Sequence, residues 1–103
     1  MGWLREALDG LAKDGRAEVR PTGGSMRGRI ESGQLVRLER VAPGEVRVDD
    51  VVLVRWKGSR ILHLVKAVEG GRILIGNALG RINGWADAAD VVAKATPVEP
   101  DLT

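Results

Sequence analysis

Val48-Asp49-Asp50-Val51-Val52-Leu53-Val54-Arg55-Trp56-Lys57-Gly58-Ser59-Arg60-Ile61-Leu62-His63-Leu64-Val65-Lys66-Ala67-Val68 is the stretch whose reading decides the fold class. Two runs rich in Val, Ile and Leu, Asp50 to Trp56 and Arg60 to Val68, flank Lys57-Gly58-Ser59. Such runs on either side of a short glycine turn read as two strands of a hairpin, because glycine tolerates the positive φ these turns require. Alternation in Val52-Leu53-Val54-Arg55-Trp56 and in Leu35-Val36-Arg37-Leu38-Glu39 predicts sheets packed on one face and wet on the other. Outward from the hairpin the texture persists, with further strands expected over Ala17 to Arg20, Gln34 to Arg40, Arg72 to Ile75 and Val91 to Ala95, and a second turn at Glu69-Gly70-Gly71.

Only the beginning of the chain differs. Trp3, Leu4, Ala7, Leu8 and Leu11 recur at the spacing of one helical face, which predicts a short helix over about residues 2–14, ended near Asp14-Gly15, with its stripe covering one end of the core. The expected fold is mainly β with one short N-terminal helix. It is a single domain over residues 1–103, with a β-domain over about 17–95 and a frayed tail over 96–103 carrying Pro97 and Pro100.

Composition fits that class. The chain's 103 residues leave room for one domain, and 44% hydrophobic against 29% charged residues provides a packed core. The absence of cysteine excludes a disulfide framework, a thiolate metal site and a thiol nucleophile. A single histidine without carboxylates at ligand spacing offers no metal site, and no cofactor is expected. Lys and Arg number 16 against 14 Asp and Glu, a net charge of +2, so the pI of about 9.5 implies no nucleic-acid partner. The longest strongly apolar run, Val51-Val52-Leu53-Val54, falls far short of the roughly 20 residues a bilayer demands. Glu6 and Asp9 interrupt the N-terminal apolar stretch, so no export signal is read and the expected location is cytoplasmic.

Two places carry chemistry. Pro21-Thr22-Gly23-Gly24-Ser25-Met26 puts a hydroxyl directly after two glycines, whose bare backbone allows close approach to a substrate and lets N–H groups converge, as an oxyanion site needs. Gly-Gly-Ser also occurs in ordinary turns. His63 lies within Arg60 to Val68, where period 2 sets it on one face with Ile61, Val65 and Ala67, and Leu62, Leu64, Lys66 and Val68 on the other. A histidine on such a face commonly serves as a core residue, and a neutral imidazole there can also take the proton of a nearby serine.

Four segments follow one another: Gly23-Gly24-Ser25-Met26, then Ile30-Glu31-Ser32-Gly33-Gln34-Leu35-Val36, then Val48-Asp49-Asp50-Val51-Val52-Leu53-Val54, then Ile61-Leu62-His63-Leu64-Val65. A Ser-Met box, a glycine-bounded strand, an Asp-Val-Val strand and a strand bearing a general base, in this order over about Val19 to Lys94, resemble the serine peptidases of the signal peptidase and LexA-repressor clan. In the repressor and bacterial signal peptidase branches that base is a lysine; in the endoplasmic-reticulum and archaeal type it is a histidine, the pattern His63 fits. Lys66 is the competing candidate, three residues late and on the opposite face by period 2. Leu74-Ile75-Gly76-Asn77 resembles the family's Gly-Asp-Asn segment, with Asn77 where an acidic residue is common. Either Asp87 or Asp90, after Asn83-Gly84-Trp85, supplies an acid in its place, or Asn77 orients the ring by hydrogen bonding alone. Gly28 stands where the family usually has proline, and Gln34 where aspartate commonly follows the glycine.

The resemblance implies a Ser25/His63 pair acting through an acyl-enzyme, with the oxyanion held by the Ser25 N–H and a second donor from the Gly23 or Gly24 region. It further implies an extended substrate paired with Ala17 to Pro21, contacts from Val19, Pro21 and Met26, and small side chains beside the scissile bond. Met26 also reads as a core filler. With no membrane span, and only 24 residues before Ser25, the expected role is a soluble maturation endopeptidase that removes a leader or propeptide from a protein precursor in trans. The alternative is a catalytically inactive peptide-binding β-module of the same fold. A nucleic-acid-binding small barrel, suggested by Arg27, Arg29, Arg37, Arg40, Arg47 and Arg55, lacks the stacking aromatics such proteins use, since Phe and Tyr are absent and Trp3, Trp56 and Trp85 are widely spaced.

Overall fold

The apolar stripe near the N-terminus forms helix α1 (Trp3–Asp14) in the computed structural model, which describes residues 2–23, 26 and 28–98. The helix stops at Gly15, whose φ of 74° is the left-handed conformation glycine adopts without penalty, and the Gly15 N–H closes on the Leu11 carbonyl at 3.0 Å. Arg40 Nε donates to the same carbonyl at 3.0 Å, fastening the helix end to the sheet. Ala7 and Leu11 are the buried face, packed into the core between helix and sheet.

The remaining elements are strands β1 (Arg16–Val19), β2 (Val36–Glu39), β3 (Val51–Trp56), β4 (Ser59–Glu69), β5 (Arg72–Gly76), β6 (Ile82–Asp87) and β7 (Val91–Pro97), with 3-10 turns at Pro43–Glu45 and Ala88–Asp90. They form one antiparallel sheet in the order β1-β2-β7-β3-β4-β5-β6. Mainly β architecture with one N-terminal helix is therefore what the chain adopts. The hairpin read at Lys57-Gly58-Ser59 joins β3 and β4, with Ser59 already in β4 and positive φ at Lys57 and Gly58 (50° and 79°), a two-residue turn whose twist matches the strands it connects.

Several expectations change. The sheet centre is not wet on one face: Val51 and Leu53 enter the core under α1, while Val52 and Val54 enter a second core on the opposite face with Val65, Ile73 and Ile75. A run apolar at every position belongs to a strand covered on both sides, and alternation here separates two cores. Ile82–Asp87, not among the expected strands, is strand β6; Asn83 is the extra residue of a bulge between Ile82 and Gly84, and at Gly84, with φ 146°, the Trp56 ring lies 3.1 Å from where a Cβ would sit. Conversely, of the strand expected over Gln34 to Arg40 only Val36–Glu39 joins the sheet, and Ser32-Gly33 in the glycine-bounded segment before it is a turn. Thr96 and Pro97, assigned to the frayed tail, continue β7 and pair with Arg37 and Val36, and the Val98 N–H donates to Leu35.

Candidate active site

The glycine-serine segment leaves β1 into a closed loop. Its two ends meet where Gly33 N–H donates to the Pro21 carbonyl at 2.8 Å and Arg20 Nη1 donates to the Gly33 carbonyl at 3.0 Å. Gly28 N–H donates to Glu31 Oε2 at 2.8 Å, and the Arg29 and Ile30 N–H groups both converge on the Met26 carbonyl. Met26 and Ile30 drop into the core under α1, only 4% and 3% exposed, so the loop is anchored by apolar side chains as well as by hydrogen bonds. Arg29 also reaches Asp49 at 3.5 Å, tying the loop to the turn before β3.

Gly24 and Ser25 lie outside the described residues, so the nucleophile and the oxyanion donor expected beside it are placed by sequence alone. Gly23 is described, and its N–H donates to Ser32 Oγ at 3.2 Å. That donor is taken up by the loop itself.

His63 is half-buried in β4, opposite Val52 of β3. Its Nδ1 meets the Leu62 carbonyl oxygen. A carbonyl can only accept, so Nδ1 carries the proton and the lone pair resides on Nε2, the tautomer a general base needs. The Leu62 carbonyl is thus the group that orients the ring. Asn77 Oδ1 instead accepts from Leu79 N–H and Arg81 N–H, both at 2.9 Å, shaping the turn between β5 and β6. Asp87 Oδ1 caps the 3-10 turn through Ala89 N–H at 2.9 Å, and Asp90 ends that turn. Among the described residues no side chain hydrogen-bonds His63. Lys66 is the extra residue of a bulge between Val65 and Ala67, which breaks the period-2 count that set it opposite His63. Its Cε lies 2.9 Å from where a Cβ on Gly76 would sit.

Loop and strand enclose a cavity of about 210 Å3. Gly23 and Met26, which flank Gly24-Ser25 in sequence, line it on the loop side; Arg60, Ile61, Leu62 and His63 line it on the β4 side; Lys66 does not. Pro21 is at its wall as expected. Val19 is not: its side chain is 3% exposed and belongs to the core, and its outer surface lines a separate groove with Glu6, Glu18 and Arg20.

Among the described residues, β4 reaches the cavity with a free edge. The strand has 11 residues and β5 has 5, so β5 pairs only as far as Leu64, while β3 pairs with Ser59 through Leu64. Hydrogen-bonded and non-bonded pairs alternate along an antiparallel ladder, and the turn is closed by the bonded pair Trp56 and Ser59. Ile61 and His63 are consequently bonded to β3, and the N–H and C=O of Arg60 and Leu62 point away from it, toward the cavity side. Sequence reasoning missed this edge and missed Trp3, which also lines the cavity. The unequal lengths of the apolar runs Arg60 to Val68 and Arg72 to Ile75 were the available signal for the edge.

Among the described residues no group of His, Asp or Glu is placed to hold a metal ion, and no helix is long and apolar enough to cross a membrane. Compared with protein-family models, curated proteins and solved structures, the chain matches none.

Proposed function

We propose that the chain is a serine endopeptidase resembling the signal peptidase and LexA-repressor clan, cleaving an extended segment of a protein precursor in trans, with Ser25 as nucleophile and His63 as base. One observation carries the reading: the residues bracketing Gly24-Ser25 and the histidine with a free Nε2 line the same cavity. In this mechanism Ser25 Oγ attacks the peptide carbonyl as its proton passes to His63 Nε2. The imidazolium then gives that proton to the leaving amine, and water, activated by the same nitrogen, releases the acyl group. The test is digestion of a diverse peptide library read by mass spectrometry, wild type beside Ser25→Ala. Cuts that vanish in the variant are expected. No cut by the wild type, with peptides still bound, would instead favour the peptide-binding module.

The open edge of β4 supports strand pairing as the mode of substrate binding, since among the described residues the Arg60 N–H and C=O and the Leu62 N–H have no partner, while the Leu62 carbonyl already meets His63 Nδ1. Arg60→Pro removes one such N–H without touching the ladder to β3, and proline is tolerated at an edge where its nitrogen faces outward. Its KM is expected to rise tenfold or more above that of Arg60→Ala, with the thermal midpoint of the two variants within a few degrees. Equal KM values in the two variants would exclude pairing at this position.

A further inference from the structure

The cavity beside His63 has a composition and a size that go beyond the peptidase reading on which this inference rests. Trp3 from α1, Pro21 after β1, Met26 and Ile30 from the loop, and Leu62 from β4 give it apolar walls. Met26, Ile30 and Leu62 are each less than a tenth exposed and held in the core, so this floor is preformed. Glu31 is the carboxylate on its rim, and that carboxylate already accepts the Gly28 N–H.

Volume discriminates among occupants. Apolar cavities of about 150 Å3 admit a benzene ring, and this one measures about 210 Å3. A methyl group would leave most of that space wet against apolar walls, whereas a Leu, Met or Phe side chain would fill it and remove apolar surface from water on both partners. A cavity of this volume is on the order of 6 Å across, about two residues of extended chain at roughly 3.3 Å each. Since His63 is in its wall, the seated side chain belongs to a residue within two positions of the bond that is cut.

Trp3 occupies a particular place in this wall. It lines both the His63 cavity and the neighbouring groove bounded by Glu6, Glu18, Val19 and Arg20. Trp3 is therefore shared by the two and stands at the boundary of the first. We propose that the cavity is a specificity pocket for a large apolar side chain of the peptide substrate, and that Trp3 is the residue that selects it. This requirement differs from the small side chains that the sequence resemblance implies beside the scissile bond, and it falls on a neighbouring position of the same peptide.

The test takes one cleaved peptide and varies each of the two residues on either side of the cut among Ala, Leu, Phe and Asp, measuring kcat/KM for wild type, Trp3→Ala and Trp3→Phe. At one position Leu or Phe is expected to exceed Ala by tenfold or more in the wild type, a discrimination within the range apolar pockets achieve. Trp3→Ala should reduce that ratio to threefold or less, and Trp3→Phe should keep most of it. Equal rates for Ala and Leu in the wild type at all four positions, or an unchanged ratio in Trp3→Ala, would overturn the proposal. Should Trp3→Ala lose its cooperative thermal transition, the wild-type ratio still decides the pocket and Trp3→Phe decides the residue. If no peptide is cut at all, the peptidase reading fails separately. The Kd values of Leu and Ala forms of the tightest-binding library peptide, substituted one position at a time, then judge the pocket by the same tenfold criterion.

Discussion

Replacing His63 by alanine is expected to lower kcat on a cleaved peptide by about 100-fold to 10,000-fold, the usual contribution of a positioned acid–base group, with KM little changed. The ring's only hydrogen bond among the described residues goes to the Leu62 carbonyl, so its loss removes proton transfer without dismantling a side-chain network. Ser25→Ala and the double variant should be equally slow, since residues that act as one unit lose their effect together. Double-variant losses that multiply would mean that the two residues act independently. A His63→Ala rate equal to wild type would transfer the base role to Lys66, whose stem would then have to leave Gly76 and swing to the cavity.

A different kind of loss is expected from Leu53→Ala. Leu53 is completely buried in the middle of β3, with β4 on one side and β7 on the other, and its side chain fills the core beneath α1. Truncation of such a residue costs about 2 to 5 kcal/mol, because lost burial is joined by a cavity the neighbours only partly refill. Domains of this size are stable by only about 5 to 15 kcal/mol, so a large share is at stake. At roughly 4 to 8 °C per kcal/mol, the thermal midpoint should drop on the order of 10 to 30 °C. Val48→Ala, at a site 52% exposed just before the same strand, should stay within about 0.5 kcal/mol of wild type. A Leu53→Ala midpoint within a few degrees of wild type would contradict the packing described for β3.

The helix was legible because Trp3, Leu4, Ala7, Leu8 and Leu11 obey one period over a whole element, and the β3–β4 hairpin because Lys57-Gly58 is a turn in its own right. What sequence could not supply were properties of pairs of elements. Whether Val52 faces water or a second core depends on β5 and β6 curling over it, and Asn83-Gly84, read locally, signals a turn until Trp56 is found against Gly84. At the candidate site, His63 stands out by being the single imidazole, yet its proton is located by a carbonyl one residue away and the pocket beside it by a helix sixty positions earlier in the chain. Asn77 and Asp87 look like catalytic acids or orienting groups in a linear reading because turn-forming and catalytic side chains are chemically the same.

The position of β7 bears on when the molecule can exist at all. This strand, last in sequence among those described, is inserted between β2 and β3, and its Ala93 and Ala95 belong to the core beneath the helix. On one side of it lie α1, β1, β2 and the loop leading through Ser25; on the other lie β3 through β6 with His63. A nascent chain lacking Val91–Pro97 would hold those two parts without the strand that joins them, and long-range pairings of this kind form slowly. Assembly of the cavity between them is therefore deferred until synthesis has passed Pro97.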